Sequence, residues 1–340
     1  TLGVDIVEQP FYVMRLMLLL TNGVLLVLLF LLTGSLVESY GRTDWGRIGV
    51  FAVATWGTFL TTFAVTLNNH LPAAVSVLLA VWLASGIKQA SHPSRWAFLG
   101  SGLAAGFAVA NELPALAFLV MLAAWLYRLS AIKMVTGFVP GALLVAVAFF
   151  ATNHLAHGTW KPAYAQRHDG QLLAEIDDDA VRVVESDEGR QLQIDYEKLN
   201  QGLADYSIVI DSDAIVAATG TPNRWNVWDR KSQRRLALLQ HGGRIEIREW
   251  GNWYEYVGSY WGNPQGIDRG EKSRLTYLLN SLVGHHGIFS LSPVWLLAFW
   301  GVICSLRVPR HELWPLAFGG LLLTVVCLGF YVARPLNDRN

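Results

Sequence analysis

The chain has 340 residues, zero formal net charge, 53% apolar and only 15% charged residues. Soluble globular chains carry about 25% charged residues. The deficit is also concentrated: no Asp, Glu, Lys or Arg occurs in 16–37, 48–87, 134–160, 275–306 or 313–333. Helices without a polar face exclude an ordinary soluble fold, and a neutral chain implies no nucleic-acid partner.

A membrane crossing takes roughly 20 apolar residues. Read in chain order, the pattern predicts eight apolar helices at about 14–37, 48–67, 71–87, 96–110, 113–127, 134–153, 286–306 and 313–333. The run 48–87 is too long for one crossing and carries Asn68, Asn69 and His70 at its middle, so it reads as a hairpin. The run 96–127 carries Asn111 and Glu112 at its middle and reads the same way. The two tips nearly repeat, "NHLPA" at 69–73 and "NELPA" at 111–115, with Pro72 and Pro114 in the first turn of the outgoing helix, where a missing N–H costs little. Each arm of the second hairpin has about fifteen residues, or ~23 Å, against a hydrocarbon thickness of ~30 Å, so its tip is expected below the membrane surface.

Four alternate loops carry two basic residues each: Arg42 and Arg47, Lys88 and Arg95, Arg128 and Lys133, Arg307 and Arg310. The hairpin tips carry none. The positive-inside rule therefore places those loops in the cytoplasm, and both tips and the segment after 153 outside.

The segment 157–274 holds the charge, with 15 Lys/Arg and 19 Asp/Glu. "YEKLNQGLADY" (196–206) predicts a short helix. "YSIVIDSDAIVAAT" (206–219) predicts strand with a turn at Asp211–Asp213. "GRIEIREW" (243–250) alternates as a half-exposed strand does. The expected architecture is mostly α: a polytopic transmembrane bundle of about eight apolar helices with a small extracytoplasmic α/β insert. Its parts are 1–156 with the two hairpins, 157–274 as the insert, and 275–340 as the C-terminal helices.

Polar residues at membrane depth are costly and mark sites or cavities. This topology gathers Asn68, Asn69, His70, Asn111 and Glu112 on the outer face, joined by His285 and His286 where the chain re-enters the membrane. A hairpin tip must also be polar simply to meet water, and both readings stand. His70, Glu112, His285 and His286 offer N and O donors, and a divalent cation is the one cofactor they suggest, although their spacing forms no compact metal motif. The chain carries no G-x-S-x-G and no phosphate-binding G-x-x-x-x-G-K-[ST]. Both cysteines, Cys304 and Cys327, lie in apolar spans. Arg269, Lys272 and Arg274 are cations placed either to meet a lipid phosphate or to flank the membrane surface. Trp225, Trp228, Trp250, Trp253, Tyr254, Tyr256, Tyr260 and Trp261 suit sugar stacking, interfacial anchoring or packing of the insert.

The segments "TLNNHLPAAVSVLLAVWLA", "GLAAGFAVANELPALAFLVMLAAW" and "GHHGIFSLSPVWLLAFWG" resemble the external hairpins and re-entry segment of the GT-C superfamily of membrane glycosyltransferases. The likeness is to bacterial members related to protein mannosyltransferases and aminoarabinose transferases; it covers 14–153 and 275–333 and skips the insert. It implies an integral protein of the bacterial plasma membrane. Such a protein transfers a sugar from a polyprenyl-phosphate carrier to a glycan, lipid or protein acceptor outside the cytoplasm. The family's catalytic base is an Asp in a first external loop, and no residue here maps onto it. The chain starts at Thr1 and is expected to be a fragment without that loop. Glu112 and His70 are the catalytic candidates that remain, with Asn69, Asn111, His285, His286, Arg269, Lys272 and Arg274 as candidates for binding substrate. A transporter or flippase for a lipid-linked substrate, and a non-catalytic envelope-assembly protein, are the rival classes. A transporter is expected to break helices at mid-membrane.

Overall fold

The structure, a computed structural model, describes residues 9–186, 189–219, 221–255, 271, 273–285, 287–307 and 313–333. The chain divides into two compact units, Thr1–Thr152 with Gly270–Asp338, and Asn153–Arg269.

The first unit is helical. α1 (Pro10–Leu18) continues through a π turn, Leu19–Gly23, into α2 (Val24–Tyr40). α3 (Asp44–Trp56) and α4 (Leu60–Phe63) follow, then α5 (His70–Gln89) and α6 (Arg95–Asn111). A 3₁₀ turn, Leu113–Ala115, leads into α7 (Leu116–Leu129). α8 (Ala131–Lys133) passes through a second π turn, Met134–Phe138, into α9 (Val139–His157).

Among the described residues four helices are long and apolar enough to cross a membrane: Pro10–Tyr40, His70–Gln89, Ala131–His157 and Trp314–Ala333. A fifth crossing results if Arg274–Leu291 and Trp295–Arg307, bent by 95°, count as one. This is fewer than the eight expected. The stretch 48–67 is not one helix: α3 stops at Trp56, and only the single turn α4 follows. α6 has 17 residues, about 26 Å against ~30 Å of hydrocarbon.

Small residues bring α6 against the second π turn and α9. A Cβ on Gly102 would lie 2.0 Å from the Phe138 carbonyl oxygen, and one on Gly141 2.4 Å from that of Leu99. Gly102 and Gly106 on one side, and Gly137 and Gly141 on the other, form the small-x-x-x-small spacing by which membrane helices pack closely. Phe98, Ala105, Leu126 and Phe138 are fully or almost fully buried around this contact.

In the second unit, β1 (Leu172–Asp177) is followed by a separate hairpin, β2 (Val181–Ser186) and β3 (Gly189–Ile194), and by α10 (Tyr196–Gly202). β4 (Ile215–Ala218), β5 (Arg224–Asp229), β6 (Arg234–His241) and β7 (Arg244–Glu249) complete an antiparallel sheet of order β1-β7-β6-β5-β4. Alternation sets the faces: Ile245 and Ile247 of β7 are buried, as are Trp225 and Val227 of β5 and Leu236 and Leu238 of β6. The β6–β7 turn uses Gly242 and Gly243 at φ 59° and 82°, the backbone a two-residue hairpin loop with the right twist requires.

Of the strand with a turn predicted over 206–219, the turn at Asp211–Asp213 and the strand after it, β4, form, and the part before the turn is not a strand. Ile208 and Ile210 are buried, but Ile210 pairs with a side chain: Asn200 accepts from its N–H at 2.8 Å and donates to its carbonyl at 3.0 Å.

α11 (Arg274–Val283), α12 (Ile288–Leu291), α13 (Trp295–Arg307) and α14 (Trp314–Ala333) close the first unit. α14 packs against α7, α11 and the 3₁₀ turn after Glu112.

Candidate functional site

The two tips meet. Asn69 immediately precedes α5, and His70 is its first residue; Asn111 ends α6, and Glu112 is the residue at which α6 turns into Leu113–Ala115. His70 Nδ1 and Glu112 Oε1 are 2.5 Å apart, within hydrogen-bonding distance when the imidazole carries its proton on Nδ1. Asn69 Nδ2 donates to the same Glu112 Oε1 at 3.0 Å and to the Asn111 carbonyl at 2.6 Å. The Glu112 side chain is 24% exposed and that of His70 50%, so the pair opens to its surroundings from a partly shielded carboxylate. The Phe63 ring lies 4.9 Å from the imidazole. From α14, Tyr331 and Cys327 stand within electrostatic reach of Glu112.

Local chemistry explains the arrangement. Asn68 supplies the cap that Asn69 does not: its Oδ1 accepts from the N–H groups of His70 and Leu71 at 3.0 and 3.4 Å. This frees Asn69 to reach across to the other tip. The Asn111 side chain turns back to the Phe107 carbonyl at 2.8 Å, so Asn111 meets the site through its main chain.

Of the residues expected in the site, the structure joins Asn69, His70, Asn111 and Glu112. Arg274 is exposed at the start of α11, and His285 follows that helix. Arg269, Lys272 and His286 lie outside the described residues. Among the described residues no three His, Cys, Asp or Glu side chains converge to hold a metal ion, so His70 and Glu112 offer one N and one O donor without His285. A cavity of about 340 Å³ lies at the opposite end of α5, lined by Ser35, Ser39, Trp82 and Ser85, and does not include the pair.

Asn22 was not singled out from the sequence. It sits in the first π turn, 1% exposed, and its amide donates to the carbonyls of Phe63, Ala64 and Thr66 at 3.3, 3.3 and 2.7 Å. Asn68 donates to Phe63 and Thr66 as well, at 3.0 and 3.1 Å. Two asparagines thus satisfy the unwound backbone between α4 and the His70 tip, which an apolar surrounding would otherwise penalise.

In the second unit the aromatic cluster is occupied by its own cations. Arg235 lies over Trp228 and Trp250, 4.9 Å from each ring centroid. Trp250 stacks on Trp253 at 5.5 Å, and Trp225 is in the core. The faces of Trp228 and Trp250 that Arg235 covers are therefore not available to a sugar ring. Tyr256, Tyr260 and Trp261 lie outside the described residues. The bidentate pair of Arg224 with Asp169 at 2.8 Å is buried, and Asp169 also accepts from the N–H groups of Gly251 and Asn252.

Comparison with protein-family models, with curated proteins and with solved structures gives no match.

Proposed function

We propose that this chain carries the activity of a membrane glycosyltransferase of the GT-C type. It passes a sugar from a polyprenyl-phosphate carrier to a cell-envelope acceptor on the extracytoplasmic face of a bacterial plasma membrane. The observation that carries the reading is the 2.5 Å contact between His70 and Glu112 at the meeting of two apolar helices. A carboxylate on Nδ1 orients the ring and leaves Nε2 free to accept a proton. In the proposed reaction the acceptor oxygen bonds to the anomeric carbon, its proton passes to His70 Nε2, and the bond to the carrier phosphate breaks. Polyprenyl phosphate leaves with the electron pair. Glu112 steadies the imidazolium that forms, and the exposed Arg274 is the described cation assigned to the leaving phosphate.

General-base catalysis contributes about 10²–10⁴-fold. Glu112→Gln and His70→Ala are each expected to lower glycan output by that order, with normal membrane insertion. The double variant should be little worse than either, because the two residues act as one unit. Output unchanged in Glu112→Gln would remove the role assigned to the pair.

A transporter of a lipid-linked substrate is the second reading, favoured by one feature. The chain between Trp56 and His70 is a broken helix whose free carbonyls are held by side chains, and transporters use such breaks. It predicts movement of the intact donor without release of carrier.

A further inference from the structure

We infer that α11 lies in the head-group layer of the membrane, parallel to its surface, as an amphipathic interfacial helix. Apart from the exposed Arg274 at its start, its residues fall into three sectors at about 100° per residue. Tyr277, Leu278, Ser281 and Leu282 are partly covered, on the helix that packs against α14. Leu275, Leu279 and Val283 follow one another at every fourth position and are 66%, 50% and 63% exposed. Ser273, Thr276 and Asn280 form an exposed polar sector beside them. Its groups are bonded locally, Thr276 N–H to Ser273 Oγ at 3.1 Å and Asn280 to Glu271 at 2.7 Å.

A helix inside a bilayer has no use for the polar sector, and one in water has none for the leucine stripe. A helix at the boundary uses both. The length agrees. α11 has 10 residues, about 15 Å, half of what a crossing needs. Trp295, at the first position of α13 and 43% exposed, is a residue that collects at that depth. The acyl boundary of the bilayer is therefore the occupant of the stripe. The placement requires only that the apolar helices lie in a bilayer, and it is independent of the chemistry proposed for His70 and Glu112.

The test is spin-label accessibility in the full chain, with Cys304 and Cys327 replaced by Ser, in vesicles of phosphatidylethanolamine and phosphatidylglycerol. Labels go on Leu275→Cys, Leu279→Cys and Val283→Cys, and on Thr276→Cys and Asn280→Cys, all exposed positions that do not disturb packing. The expected result is oxygen contact exceeding that of a water-soluble nickel chelate at the three stripe positions. The other two should show the reverse, with at least tenfold contrast in the ratio. Five labels all shielded from the chelate, five all open to it, or spin–spin broadening confined to the stripe, which would mean a second copy covers it, would each overturn the assignment.

Discussion

Asn22 shows how a single residue can hold a site it does not belong to. Its amide is the described donor to the Ala64 carbonyl, while Phe63 and Thr66 also receive Asn68. Leaving a buried carbonyl unpaired costs about 1–3 kcal/mol. Asn22→Leu is expected to lower stability by that order, read as a fall in the unfolding midpoint in detergent. Asn22→Asp, which cannot donate when ionised, should fall with it, and a midpoint at the wild-type value in both would show that these bonds contribute nothing. Glu112 was legible in the sequence because it is the sole charge in an apolar run. Asn22 was not. It lies in the uncharged run 16–37, where periodicity reports a helix but not which face meets an unwound segment some forty residues later. The sequence also offered Asn69 and Asn111 as equivalent, whereas the structure uses the side chain of one and the carbonyl of the other.

At the scale of elements, helix ends were readable where a polar residue or a proline punctuates the pattern: α6 ends at Asn111 and α5 begins at His70. The break after Trp56 was not readable from hydropathy. Thr55, Thr58 and Thr62 each turn a hydroxyl back to a carbonyl three or four residues earlier, at 2.7, 3.1 and 2.7 Å. Such back-bonding weakens and bends a helix, and Gly57 lies within the same stretch. The contact of α6 with the second π turn gives a direct test. Gly102→Ala places a methyl against the Phe138 carbonyl and should cost about 1–3 kcal/mol through overpacking. Gly86→Ala meets nothing within 4 Å and should be neutral or stabilising, by up to about 1 kcal/mol. Equal midpoints for the two variants would contradict the packing.

The β5–β6 turn has a pH signature. Lys231 bonded to Asp211 at 2.7 Å holds that carboxyl below its ordinary range. Burial pushes Asp229 up, but the Ser232 hydroxyl and the N–H groups of Lys231, Ser232 and Asp211 outweigh it and leave it lowered. Groups depressed in the folded state stabilise above their unfolded value, near 4, and lose that contribution as pH falls through the folded value. Unfolding of the sheet followed by tryptophan fluorescence should therefore be flat from about pH 7 to 5 with respect to these groups and should weaken below about pH 4. Asp229→Asn should flatten the acid limb; an unchanged limb would remove the assignment.

At the scale of the whole molecule, an apolar, mostly helical unit with four membrane-length helices among its described residues accompanies a charged unit whose described residues build a five-stranded sheet. Composition made both legible, because uncharged runs and a charged segment separate along the chain. The number of crossings was not legible, since a run of apolar residues does not reveal where a helix breaks. The proposed chemistry rests on one contact between the two tips. Its most direct test is the fate of a polyprenyl-phosphate sugar, labelled in both sugar and lipid, given to the full chain in sealed phospholipid vesicles with envelope glycans as acceptor. The account predicts that the sugar label moves to the acceptor and free polyprenyl phosphate appears, both lost in Glu112→Gln. Intact donor crossing the vesicle wall with both labels together, or release that Glu112→Gln leaves unchanged, would contradict it.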